Sequence, residues 1–320
     1  MTPRVFSFDP DPEPAKPRES DKFWALWEKQ PLGLIFFAIL VLVIAVPGLI
    51  AIMVCDFLVH PGSKGWIMAH EVVLAVSSVL ALIMVTCFVL RLHIRETGFA
   101  VRGSVMETLA GYIIGMALMS VVIGILTTTG HLTVLSQNPG YRPGFALALC
   151  FFIAVLEETI FRGYMLPAFE RRWGTMTALI VSSLLFGAVH LMNVRGEPHD
   201  VQLRVVLFIA VEAGLLLGGA YLVTRRLWLP IGIHWAWNFF LGPYYGAPVS
   251  GEDLFGSYRK TVLNGPAWIT GGKFGPEAGI VAFAVCTIAA LALLVISARS
   301  GQWRPAPGAI PVETGGADAV

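Results

Sequence analysis

The sequence predicts an all-α membrane protein, a polytopic helical bundle of about eight transmembrane helices. Three observations predict it. Of the 320 residues, 56% are hydrophobic and only 13% charged, against about 25% charged in a soluble domain. The mean hydropathy is +0.73. Apolar stretches near the roughly 20 residues needed to cross a bilayer recur along the chain, separated by polar segments. The expected spans are Leu32–Phe57, Trp66–Leu90, Val105–Thr127, Phe145–Phe169, Thr175–Met192, Val205–Val223, Leu229–Tyr245 and Ile280–Ser297. The fifth and seventh are the shortest for their polarity. Residues 1–30, rich in proline and acid, are expected to form a disordered cytosolic tail without the apolar core of a secretory signal. Residues 31–300 form the membrane domain, and 301–320, rich in Gly, Pro and Ala, a second cytosolic tail.

Eight spans place both termini on one side. With the N-terminus inside, the inner segments carry 14 Lys and Arg and the outer ones 7, so both termini are expected in the cytosol. Arginine outnumbers lysine 16 to 6, as in a GC-rich bacterial genome, and a bacterial cell membrane is the expected location. A net charge of +1 gives no case for nucleic acid as a partner. The bilayer and a membrane-associated peptide or protein are the expected partners. Cys55, Cys87, Cys150 and Cys286 lie in or beside apolar runs without paired spacing, as small hydrophobes do.

Ionisable side chains inside a span cost at least about 2.5–3.5 kcal/mol near a helix centre, so they need a reason. The fourth to seventh spans hold Glu157-Glu158-Thr159-Ile160-Phe161-Arg162, then Phe186-Gly187-Ala188-Val189-His190, then His234-Trp235-Ala236-Trp237-Asn238. Glu158 and Arg162, four apart with the acid first, suit an ion pair along one helix face. Glu157 points about 100° away from Glu158 and is freer to face a cavity. His234 and Asn238 share one face of the seventh span and can each donate a hydrogen bond into one pocket. Gly187-Ala188 lets another helix approach His190 closely, and Gly214, Gly218 and Gly219 give the sixth span a close-packing face. Single ionisable residues are weaker signals. His70, His131, Glu71 and Glu212 each fit a hydrogen-bonded packing role, with function the minority reading for Glu212. The larger constellation points to a functional site but leaves hydrolysis and proton or ion transport both open.

These segments resemble the CAAX-protease and bacteriocin-processing family of intramembrane proteases, which includes the Rce-type prenyl endopeptidases. Glu157, Glu158 and Arg162 match its first motif, Phe186 and His190 its second, His234 and Asn238 its third. The lead-in Trp228-Leu229-Pro230 before His234 is also similar. The resemblance covers residues 143–242; Glu212 departs from it, the family being apolar there. It implies an intramembrane endopeptidase, a hydrolase acting on a membrane-associated peptide or protein. Glu157 would be the general base on a water also held by His190. His234 and Asn238 would stabilise the oxyanion, with Glu158 and Arg162 supporting. The expected site opens toward the cytosol. Zinc is a possible cofactor, its ligands among Glu157, Glu158, His190 and His234, but there is no HExxH and metal-free water activation is favoured. In prenyl-processing members the substrate is a lipidated C-terminus, which a bacterial owner would not supply. The rivals are a proton-coupled transporter, against which the lack of internal repeats counts, and a non-catalytic membrane scaffold. The role of the loop Gly242–Pro276 is open.

Overall fold

The computed structural model describes Met53 and residues 63–84, 97–253 and 256–306. The first expected span therefore lies outside the described residues, apart from Met53, as do Cys55 and Cys87. In lipid every backbone polar group must be satisfied within the chain, so long apolar runs close their own hydrogen bonds as helices. The described order is α1 (Lys64–Met84), α2 (Ser104–Thr128), β1 (Leu132–Gln137), α3 (Gly144–Glu158), α4 (Leu166–Val189), α5 (His199–Ile209), α6 (Leu216–Thr224), α7 (Trp228–Phe239), β2 (Arg259–Leu263), α8 (Ala267–Thr270) and α9 (Ile280–Arg299).

Among the described residues, five helical stretches are long and apolar enough to cross a membrane: Lys64–Met84, Ser104–Thr128, Gly144–Val194, His199–Thr224 and Ile280–Arg299. Gly144–Val194 contains two of the expected spans. They part at Gly174, whose φ of 75° and ψ of 168° break the helix inside α4, a conformation open to glycine and strained for other residues. The seventh expected span is covered by α7 and a π turn, Phe240–Tyr244, and is shorter than a lipid-facing span. Residues 229–234 and 236–239 of α7 are buried, so its surroundings are protein and not lipid. The faces turned outward are apolar: Val105, Met106, Leu109 and Ile113 on α2, and Ile288, Leu291 and Val295 on α9, are exposed. Such bands suit hydrocarbon, not water. The chain is an integral membrane protein.

The all-α expectation needs one correction. β1 and β2 pair antiparallel, with Leu132 opposite Leu263 and Gln137 opposite Arg259, and a bulge between Val134 and Ser136. Both strands lie in connecting segments outside the long apolar helices, where hydropathy is silent, and their pairing joins residues far apart in sequence.

The connections sort into two groups. On the β-sheet side, Asn193 Nδ2 donates to the Ser250 carbonyl at 2.9 Å and Lys273 pairs with Glu197 at 2.8 Å. On the other, Leu227 N–H donates to Gly98 O at 2.9 Å and Thr175 N–H to Arg304 O at 3.0 Å. Arg226 pairs there with Glu107 at 2.9 Å. Glu170 pairs there with Arg225 at 2.6 Å.

Close helix contacts fix the core of the site. A Cβ added at Gly187 would stand 2.2 Å from the Val206 carbonyl oxygen, and one at Gly214 2.5 Å from Ser183 Cβ. Both glycines let α4 lie against α5 and the π turn that follows it, as the sequence led us to expect. Gly187→Val is expected to destabilise the fold by about 1–3 kcal/mol through overpacking, seen as a lower Tm in lipid nanodiscs. Gly124→Ala, where an added Cβ meets nothing within 4 Å, should leave Tm unchanged. Equal Tm for both variants would contradict this packing.

Candidate active site

Three π-helical turns organise the polar interior: Thr159–Met165, Ala210–Leu215 and Phe240–Tyr244. A π turn widens the helix and loosens its regular carbonyl pairing, and such turns gather at functional sites. The first carries Arg162, which is 1% exposed. Its guanidinium donates to Glu158 Oε1 at 2.9 Å and to the carbonyls of Ala213 and Gly214, in the second π turn, at 2.6 and 3.2 Å. It also lies over the Phe186 ring, 4.6 Å from the centroid. Arg162 thereby ties α3 to the α5–α6 helix.

Glu158 is fully buried and its Oε1 has a second partner, His234 Nδ1 at 2.9 Å. That carboxylate, already paired with a guanidinium, accepts, so Nδ1 carries the proton and Nε2 is the ring atom left for other chemistry. Nε2 lies 3.8 Å from Glu157 Oε2, a charge contact too long for a direct hydrogen bond. The Glu157 side chain is 30% exposed, against none for Glu158, so the two adjacent glutamates are in different environments.

His190 begins a short 3-10 turn, His190–Val194, at the end of α4. Its Nδ1 is 2.8 Å from the Phe186 carbonyl oxygen. That oxygen can only accept, so Nδ1–H donates and Nε2 of the neutral ring keeps its lone pair. Phe186 thus sets the His190 tautomer through its backbone and packs against Arg162 through its ring.

Glu157, His190, His234 and Asn238 all line one cavity of about 280 Å³. Glu158 and Arg162 do not line it and stand behind as its support. His70 and His131 are not in its lining either. His70 packs at a tilt against Trp66 with centroids 3.9 Å apart, and His131 Nδ1 is 3.0 Å from Thr129 Oγ1. Cys150 and Cys286 are buried free thiols.

The cavity also holds residues outside the three motifs' candidate catalytic set. Glu71 of α1, Trp237, Ser250 and Glu277 are among its lining, as is Glu212. Glu277 Oε1 accepts from Trp237 Nε1 at 2.8 Å, and Oε2 from Ser250 N–H at 2.5 Å. Burial pushes the Glu277 carboxyl above its usual range, against the opposite pull of the Ser250 and Trp237 donors. Ser250 holds a left-handed conformation, φ 49°, which aims its N–H at that carboxylate. Glu71 carried a readable signal, an acid in an apolar run. Glu277 carried none, because it precedes the α9 span and the cost of an intramembrane charge does not apply there.

The wall made by Asn193, Val249, Ser250, Glu252 and Glu277 belongs to the β-sheet side, so the loop Gly242–Pro276 forms part of the cavity.

Among the described residues no three His, Cys, Asp or Glu side chains converge to hold one ion. Glu158 Oε1 and His234 Nδ1 are hydrogen-bonded to each other, and His190 Nδ1 to a carbonyl, which leaves Nε2 of both rings outside these bonds.

Residues 138–240, running from just before α3 to the end of α7, match the family described as type II CAAX prenyl endopeptidase Rce1-like. Over this segment the chain is similar to that family. The match covers roughly a third of the chain and contains all three motifs. α1, α2, the β-sheet, Glu277 and α9 fall outside it. No curated protein and no solved structure matches the chain. A CAAX endopeptidase family supports a peptidase acting on a membrane-associated peptide.

Proposed function

We propose that this chain is an intramembrane endopeptidase that hydrolyses a peptide bond with a water activated by Glu157. The observation that carries the reading is the convergence of Glu157, His190, His234 and Asn238 on one cavity, with Arg162 and Glu158 locked behind them. His190 Nε2, its lone pair set by Phe186, accepts a hydrogen bond from the attacking water. Glu157 removes the water's proton and returns it to the leaving amine. Asn238 Nδ2–H and His234 Nε2–H donate to the oxyanion of the tetrahedral intermediate, a contribution that a dry site enlarges.

His234 can donate from Nε2 only when both ring nitrogens are protonated, because Nδ1–H already serves Glu158. Charge balance favours that state. Glu157 and Glu158 bring two negative charges and Arg162 one positive, so an imidazolium at His234 makes the cluster neutral, which a low-dielectric interior rewards. The substrate is a peptide or protein held at the membrane, and the owner's membrane is a bacterial cell membrane with both termini in the cytosol.

The test is cleavage of a membrane-anchored reporter peptide by purified protein in nanodiscs. Asn238→Ala removes a donor to the transition state and is expected to lower kcat by about 10²–10³-fold with little change in KM. An unchanged kcat would remove Asn238 from the oxyanion site.

A further inference from the structure

Glu212 has no role in the proposed mechanism, yet its placement is demanding. It sits in the π turn Ala210–Leu215 and is 2% exposed. Neither of its carboxylate oxygens makes a hydrogen bond, although buried polar groups nearly always do. It lines the cavity, as does Glu277, and the two charges act on each other. With Glu71, Glu157 and Glu252 that makes five glutamates around one cavity whose described lining contains no lysine or arginine. The nearby guanidinium of Arg162 is committed to Glu158 and two carbonyls. Glu277 has its three donors in Trp237 and Ser250; Glu212 has nothing comparable.

We propose that Glu212, backed by Glu277, forms a subsite that binds a cationic group, an ammonium or guanidinium, of the peptide substrate. This rests on the endopeptidase reading and assigns its specificity. A buried carboxylate without a partner is unstable as an ion until an opposite charge reaches it. Among the described residues no three metal-binding side chains converge to offer a metal in that role. The apolar lining beside Glu212, made by Ile209, Leu216, Leu217 and Ile233, suits the methylene stem of a lysine or arginine, which covers apolar surface while its head seeks a charge. A cleft in which carboxylates outnumber cationic groups also draws such a group from solution.

Binding of hexylammonium, hexylguanidinium and the neutral hexanol to the full chain in nanodiscs, measured by isothermal titration calorimetry, tests this without any cleavage. Both cations are expected to bind wild-type protein about tenfold or more tighter than hexanol. Glu212→Gln, equal in size, should lose that preference, and Glu277→Gln should weaken it. A cavity that serves only water would bind cations and alcohol alike, and that result overturns the proposal. So does a full cation preference in Glu212→Gln protein of wild-type Tm.

Two competing peptides separate the sources of the charge. An N-acetylated peptide with one internal lysine is expected to displace hexylammonium, and its norleucine counterpart with a free N-terminus is not. The reverse would assign the same carboxylates to the α-amino group. Cation binding by a protein that cleaves no peptide would uphold the subsite while removing the peptidase reading, so the two failures are distinguishable.

Discussion

Glu157→Gln is expected to slow reporter-peptide cleavage by about 10²–10⁴-fold, the usual contribution of a positioned general base. Glutamine keeps the shape and cannot accept the water's proton. The fold should tolerate the change, because Glu157 is partly exposed to the cavity and its contact to His234 is 3.8 Å long. An unaltered Tm and an unaltered KM with a collapsed kcat are the expected signature. Glu158→Gln separates the neighbours: Glu158 Oε1 holds both Arg162 and His234, so that variant should lose thermal stability as well as rate. Full cleavage by Glu157→Gln would transfer the base to another group, with His190 Nε2, which keeps its lone pair, the first candidate.

The second large effect belongs to Arg162. Arg162→Ala leaves Glu158 buried without its guanidinium partner and the cluster with one uncompensated negative charge, and strips the Ala213 and Gly214 carbonyls of their donor. Breaking a buried pair from one side costs about 3–5 kcal/mol, and the lost packing against Phe186 adds to it. Arg162→Lys should rescue little, since one ammonium cannot reach carboxylate and carbonyls as a planar fork does. The double variant Arg162→Met/Glu158→Gln should be more stable than Arg162→Ala, because no uncompensated charge remains. Thermal unfolding in nanodiscs reads all of these. If Arg162→Ala matched wild-type Tm, the guanidinium would not be the tie between α3 and the α5–α6 helix.

Much of this arrangement was legible in the sequence because membrane burial makes charge conspicuous. Glu158 and Arg162 declared an ion pair by spacing alone, and the structure joins them at 2.9 Å. The same spacing set Glu157 apart, and the small residues at Gly187 and Gly214 announced close helix contacts, which the structure assigns to α4 against α5 and the π turn after it. Three things escaped for physical reasons. The partner of Glu158 on α7, His234 Nδ1, depends on how two distant helices rotate against each other, which no periodicity reports. Glu277 and Ser250 come from a connecting segment, where a polar residue is ordinary. The β1–β2 pairing lies in segments too short and polar for hydropathy to mark. Glu212 was noticed as costly, and only the tertiary structure shows that it faces the same cavity as Glu157.

Whether this chain cuts peptide bonds through Glu157 is tested most directly in cells. Membrane-protein termini would be compared by mass spectrometry between cells carrying wild-type protein and cells carrying Glu157→Ala at matched levels. New termini present with wild-type protein and missing with the variant are the predicted result, and they would identify the substrate and the scissile bond together. Identical termini in both would contradict the account.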